Sequence, residues 1–384
     1  MRILSIHNEY LIKGGEGESR RAEVAILEKY GNSVVSYVEN NTKVAALSNV
    51  SVGLRTLWSN EAYSYVRKLL KEQKFDVVHV QNFFPLISPS VYYAAQAEGV
   101  PVVQSVRNYR FLCPNSLLYR DGHVCELCLK KTAKIPAIQH NCYRGNKAAS
   151  ATAASMLWLH NQLPTWSKID RFISVSEFVK AKMVEGGFPA NKITVKPNFV
   201  FPDPGLSAGK ENYIVYVGRL QAEKGILLLL KAIPKLPTSI RVKIIGEGPL
   251  VPEVMALAEN YNVDYLGKLP LTDTYEVIGK AQALVIPSVW YEPFGRVVVE
   301  AYAKGTAVIG SRMGGIPELI DDEITGYIFE NDSVEDLVEK IHRVLSNKDM
   351  AIQMGLRGRA KYLNEFTPES NYEQLMAIYN DVVR

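Results

Sequence analysis

The sequence predicts an α/β protein of two domains, each built on a parallel sheet. Three observations carry that expectation. Short strand-like runs at residues 3–6, 34–38, 77–80, 102–105 and 172–175 alternate with helical patterns, the order that parallel strands and their crossover helices produce. The 384 residues, 47% hydrophobic and 22% charged, describe a globular chain long enough for two domains of ordinary size. The stretch Asn198-Phe-Val-Phe-Pro-Asp-Pro-Gly-Leu-Ser-Ala-Gly209 is rich in proline and glycine, and the alternation of strand and helix resumes after it. These boundaries give a first domain over 1–199, a second over 210–366 and a helical tail over 367–384. The sequence contains no internal repeat or low-complexity tract.

In the first domain, the first strand runs into Gly14-Gly15-Glu16, where glycines let the backbone come close to a ligand. Tyr63 to Lys74 reads as a helix carrying Arg67, Lys68, Lys71 and Lys74, either a solvated basic face or a seat for an anionic membrane surface. His79 lies at the end of the strand Val77-Val-His-Val-Gln-Asn82, as a hydrogen-bonded structural residue or a functional one. Arg107 and Asn108 open an insertion of about 107–147 that holds all four cysteines. Cys125-Glu-Leu-Cys128 is a tight pair flanked by Cys113 and Cys142. Four thiolates so grouped suit a structural zinc ion, and four reduced thiols in a loop-rich insertion are the plain alternative.

The net charge of +4 hides an asymmetry, for residues 1–199 sum to +10 and residues 200–384 to −6. The basic half suits an anionic ligand or an anionic membrane surface. Nucleic acid is not expected, because the basic residues are diffuse and no binding motif accompanies them. No stretch approaches the ~20 apolar residues of a membrane span, and Met1-Arg-Ile-Leu-Ser-Ile-His7 is too short for a signal peptide. The expected location is therefore cytoplasmic, with peripheral attachment to the inner face of the membrane left open, and stable disulfides are not expected there.

In the second domain, the strand Tyr213-Ile-Val-Tyr-Val217 runs into Gly218-Arg-Leu-Gln-Ala-Glu-Lys-Gly225. Arg219 and Lys224 thus leave a strand's C-terminal end, where open α/β sheets bind ligands and where two cations can stabilise a leaving diphosphate without a metal. Val242-Lys-Ile-Ile-Gly246-Glu-Gly-Pro249 and Val263-Asp-Tyr-Leu-Gly-Lys268 are two further strand ends, and Asp321-Asp322-Glu323 reads as a solvated turn. The segment Glu292-Pro-Phe-Gly-Arg-Val-Val-Val-Glu300 is the most informative, with two carboxylates eight residues apart. Its proline and glycine predict a helix N-terminus that attracts a phosphate. At ~1.5 Å per residue, Glu300 would lie on the order of 10 Å from Glu292, the span of a diphosphate with one acid on each flanking sugar. The plain alternative pairs Glu300 with Arg296 one turn back. Against it, Val297, Val298, Val299, Ala301, Tyr302 and Ala303 make the helix nearly apolar all round, so a carboxylate there needs a specific partner.

Residues 286–320, with the Glu-x7-Glu pair, Thr306-Ala-Val-Ile-Gly310 and Met313-Gly-Gly-Ile-Pro-Glu318, resemble the signature of the retaining GT-B glycosyltransferases of family four. The stretch Gly218 to Gly225 resembles the same family's Gly-Arg…Glu-Lys-Gly element. The insertion, from Asn108-Tyr-Arg-Phe-Leu-Cys-Pro114 to Tyr119-Arg-Asp-Gly-His-Val-Cys-Glu-Leu-Cys128, resembles one found in a bacterial branch associated with surface-polysaccharide assembly. The resemblance implies two Rossmann-like domains facing a central cleft, with the last helix crossing back onto the first domain. It assigns Glu292 to the donor hexose, the Phe294 and Gly295 amides to the diphosphate, and Glu300 to the ribose. Arg219 and Lys224 grip the diphosphate, while Gly246 lines the donor pocket and the main chain at Gly267, Lys268 and Leu269 faces the base. Gly14 and Gly15 belong to a glycine loop near the donor phosphate and the acceptor, with His79, Arg107 and Asn108 on the acceptor side.

The chain departs from that pattern twice. Arg107 stands where the branch usually has His, and Gln81 where a second His usually follows His79 by two. A permanently charged Arg107 in the reaction-centre element is expected to point into the cleft and meet an anionic part of the acceptor. The reaction implied is metal-independent, retaining transfer of a hexose-type sugar from a nucleoside-diphosphate donor to a sugar or lipid-linked acceptor hydroxyl. A uridine donor is favoured and a guanosine donor next. The rival readings are a sugar-nucleotide 2-epimerase and a catalytically inactive nucleotide-binding scaffold.

Overall fold

Apolar, β-branched runs near the N-terminus fold as the largely buried strands β1 (Arg2–Glu9), β3 (Val77–Asn82) and β4 (Val102–Val106) and the half-exposed edge strand β2 (Ser33–Asn40). The insertion carries two-residue strands β5 (Tyr119–Arg120) and β6 (His123–Val124), after which β7 (Arg171–Ser174) and β8 (Ile193–Val195) return to the sheet. This computed structural model describes residues 1–11 and 15–383. All pairings in the first sheet are parallel, in the order β2-β1-β3-β4-β7-β8, so the order reverses between β1 and β3. The second sheet holds β9 (Tyr213–Val217), β10 (Arg241–Ile245), β11 (Val263–Tyr265), β12 (Ala283–Ile286), β13 (Ala307–Ser311) and β14 (Gly326–Phe329). It is parallel too, in the order β11-β10-β9-β12-β13-β14, and reverses between β9 and β12. Strands β5, β6, β8, β12 and β14 lie outside the runs that the sequence singles out.

The chain forms two units, Met1–Arg120 with Cys125–Pro197 and Asn371–Arg384, and Asp121–Val124 with Asn198–Ser370. In the first, Leu375, Ile378 and Tyr379 of the last helix (Pro368–Val383) pack in one core with Ile3, Leu27, Val77, Val103 and Ile173. The helix Asn60–Glu72 buries Ala62, Val66 and Leu70, and its N-terminus is capped by the Ser59 hydroxyl accepting from the Ala62 amide at 3.2 Å. Its basic face is internally paired: Arg67 and Lys71 both reach Glu98, at 2.8 and 3.8 Å, and Lys68 reaches Glu72 at 3.7 Å. In the second unit, aliphatic side chains of β9, β10, β12 and β13 pack against helices on either side of them in sequence. The acidic turn there is tied down by Lys361 on Asp321 at 2.8 Å and Arg343 on Glu323 at 2.9 Å. Among the described residues, no helix is long and apolar enough to cross a membrane.

Candidate active site

Parallel strands leave their C-terminal ends free to carry loops, and where strand order reverses, two loops diverge and open a crevice. In the second unit that point lies between β9 and β12. The loop after β9 carries Arg219 and Lys224, the loop after β12 carries Glu292, and the turn after β13 backs onto Glu292. Close backbone packing fixes these loops. The Gly315 amide donates to the Glu292 carbonyl at 2.7 Å, and Gly314, at φ +61°, has no room for a Cβ against the Glu292 backbone. The Gly246 amide donates to the Gly267 carbonyl at 2.8 Å, which joins the turns after β10 and β11. The Tyr216 hydroxyl donates to the Arg219 carbonyl at 2.9 Å.

Glu292 is the most heavily engaged side chain of the site. Its Oε2 accepts from Lys224 Nζ at 2.7 Å, Trp290 Nε1 at 3.0 Å and Ser288 Oγ at 3.1 Å, and Lys224 Nζ sits 4.8 Å from the centre of the Trp290 ring. Burial pushes this carboxyl up. The Lys224 ammonium and the three hydrogen bonds outweigh burial and hold it below the usual carboxylate range. The sequence analysis does not single out Ser288 and Trp290, although both stand within four residues of Glu292 and donate to it. Arg219 is 41% exposed and lies 3.4 Å from Glu223. Lys268 is exposed near Glu247 at 3.8 Å, Leu269 is half-buried, and Phe294 is buried edge-on to Phe366.

The helix that carries Glu300 runs only from Arg296 to Ala303. Gly295, at φ +91°, takes the left-handed conformation before it, so Pro293 is not its first residue and the axial spacing expected between the two acids does not apply. Glu300 is buried as expected, yet it lies 3.4 Å from Arg296, the pairing of the plain alternative.

Of the residues assigned to the acceptor side, His79, Arg107 and Asn108 lie in the first unit. His79 is 1% exposed, with Nδ1 at 2.6 Å from the Tyr379 hydroxyl and Nε2 at 2.8 Å from Ser105 Oγ, the hydrogen-bonded arrangement of the plain alternative. The Arg107 side chain is 6% exposed and pairs with Glu23 at 2.8 Å, which already supplies the anion expected from an acceptor. Its second nitrogen donates to Gln81 Oε1, Gln81 Nε2 donates to Glu23 at 2.9 Å, and Lys196 Nζ donates to Glu23 at 2.8 Å and to Asn371 at 3.1 Å. The two departures from the family pattern thus touch each other around one buried carboxylate. Glu23 and Lys196 carried no signal in the sequence because they stand far from Arg107 along the chain. Asn108 Nδ2 lies 3.4 Å from Glu16, Gly15 begins the helix Gly15–Lys29, and Gly14 lies outside the described residues.

This arrangement predicts acid sensitivity. Burial lowers His79 to about 3, and burial with Arg20, Arg107 and Arg21 lowers His7 to about 3. Both folded values lie below the unfolded value of about 6.5, so the unfolded chain binds more protons between the two. Stability should be full above pH ~6.5 and fall as pH drops towards 3, by up to about 1.4 kcal/mol per pH unit for each histidine. Thermal unfolding between pH 7.5 and 4.5 checks this, and a midpoint flat across that range would contradict it.

Residues 27–203 match the family described as Glycosyltransferase Family 4, and residues 201–361 match Glycosyl transferases group 1. A Klebsiella pneumoniae protein described as an uncharacterized 42.6 kDa protein in the cps region is 29% identical over 287 residues, 72% of this chain and 68% of that protein. The N-acetyl-alpha-D-glucosaminyl L-malate synthase of Bacillus anthracis is 28% identical over 45% of this chain and 46% of its own length, so the match spans about half of that enzyme. Among solved structures, Anabaena HepE in complex with UDP and glucose superposes with a TM-score of 0.72 at 15% identity, covering 99% of this chain and 100% of that one. Sucrose-phosphate synthase of Thermosynechococcus elongatus does so with a TM-score of 0.74 at 16% identity, over 99% and 98%.

Proposed function

Because the chain is a family 4 glycosyltransferase of the GT-B fold, we propose that it moves a hexose-type sugar, with retention, from a nucleoside-diphosphate-sugar to an acceptor hydroxyl. The observation that carries this reading is the Lys224–Glu292 pair at the strand-order reversal of the second unit, set by Trp290 and Ser288. Lys224 and Arg219 stabilise the departing diphosphate as the bond from the sugar's anomeric carbon to phosphate oxygen breaks. The acceptor oxygen bonds to the same face of that carbon, and its proton passes to an oxygen of the leaving phosphate. Glu292 orients the hexose, Glu300 holds the ribose, and the Phe294 and Gly295 amides meet the diphosphate. No metal ion enters this scheme. HepE has been solved with UDP and with UDP-glucose, which supports a uridine donor here, with guanosine next. A role in polysaccharide or glycolipid assembly, on the cytoplasmic side of a membrane, rests on the resemblance of the insertion.

Titration with UDP, GDP and ADP followed by thermal shift tests the donor, since a true ligand at a hundred times its Kd should stabilise by ~2.7 kcal/mol and the others should not. Glu300→Ala should weaken binding of the nucleoside diphosphate itself about tenfold, the loss of roughly one charge-assisted hydrogen bond. Glu292→Ala should leave that affinity nearly unchanged and reduce turnover. Equal losses of nucleotide affinity in both variants would break the assignment of the two acids. Epimerised nucleotide-sugar formed from donor alone would instead identify a 2-epimerase.

A further inference from the structure

We propose that the insertion of the first unit holds one structural zinc ion, bound by the thiolates of Cys113, Cys125, Cys128 and Cys142. None of the four cysteines is in a disulfide, and together with His140 they line a single cavity of about 10 Å³. That volume takes one atom-sized occupant. The sulfurs stand around the cavity without converging into a coordination sphere, so binding draws them inward from its wall.

One observation besides the cysteine count and the shared cavity calls for negative charge beside these sulfurs. Lys134 is only 4% exposed, and its ammonium donates to the Cys128 carbonyl at 2.8 Å while meeting no carboxylate among the described residues. A buried ammonium needs an anion, and Cys128 and Cys113 are the groups that face it.

The insertion also needs a cross-link. Its regular structure amounts to β5, β6 and the five-residue helix Ile135–Gln139. The cysteines come from three separate stretches, with the Cys113 amide held by the Tyr109 carbonyl, that of Cys125 by Leu118 and that of Cys142 by Ala137. One ion would tie all three together. As four sulfur–zinc bonds form, four thiol protons leave to solvent, and the site's formal charge of 2− is partly offset by Lys134.

The proposal is independent of the transfer reaction and is tested without it. Protein purified without a metal-affinity step should contain about one equivalent of zinc by mass spectrometry. Exchange with cobalt should give the absorption bands of a tetrahedral thiolate site. Cys125→Ser and Cys142→Ser should each retain less than about a tenth of the metal. Should those variants fail to fold, chelation of the intact protein should lower its melting temperature, and added zinc should restore it. Metal-free protein with four promptly titrating thiols and no response to zinc would overturn the proposal, as would a mass deficit showing disulfides. Loss of metal in His140→Ala would overturn the four-thiolate set.

Discussion

Lys224→Ala is expected to lower the rate of nucleoside-diphosphate release from the donor by about 10²–10³-fold, the usual cost of removing one preorganised donor aimed at developing charge. The ammonium is held in place from two sides, by Glu292 at 2.7 Å and by the Trp290 ring at 4.8 Å. Little reorganisation is then needed when the diphosphate departs. The substitution also leaves the buried Glu292 carboxylate without its cation, so part of the measured effect will be structural. Arg219→Ala separates the two contributions. Arg219 is 41% exposed and lies 3.4 Å from Glu223, so its removal should slow turnover by a comparable factor with almost no change in melting temperature. Lys224→Arg should recover the fold and little of the rate, because a planar guanidinium cannot take the place of a compact ammonium between Glu292 and Trp290. Turnover of Lys224→Ala within twofold of the parent, with an intact fold, would remove Lys224 from the reaction.

Much of the candidate site in the second unit is legible in the sequence because it is local. Glycine turns at strand ends and the Glu292-to-Glu300 segment each lie within a few residues, and backbone geometry does the rest: Gly314 presses on the Glu292 backbone because no Cβ intervenes. The helix start was misread, since proline and glycine both occur there and only the left-handed Gly295 decides where helical hydrogen bonding begins. Strands β5, β6, β8, β12 and β14 escape because each has four residues or fewer, too short a run to show a period of its own. The surroundings of Arg107 are illegible for a different reason. Whether Arg107 is an unpaired guanidinium or half of an ion pair depends on Glu23, which the fold brings beside it from the helix Gly15–Lys29, and no spacing rule connects the two.

That carboxylate supports the largest stability effect expected in the chain. Glu23→Gln should destabilise the first unit by about 3–5 kcal/mol, the cost of leaving buried charge uncompensated. The side chain of Glu23 is 2% exposed and faces two cations, Arg107 at 2.8 Å and Lys196 at 2.8 Å. Burial pushes its carboxyl up, but Arg107 and Lys196 outweigh burial and hold it well below the usual range. A depressed folded value means that this contribution is complete above the unfolded value of about 4.3 and is lost as pH falls below it. Glu23→Gln should therefore be far less stable than the parent at pH 7, and the gap should narrow as pH falls below about 4. A double-mutant cycle locates the effect. In Glu23→Gln the added change Arg107→Gln removes one stranded cation, so the double variant should lose less than the sum of the two single losses. Gln81 should feel the same change, because it bridges Arg107 and Glu23 through its two amide atoms. Strict additivity, or an unchanged denaturation midpoint for Glu23→Gln at pH 7, would mean that Arg107 is not neutralised inside the first unit and would return it to the role of an anion-seeking residue.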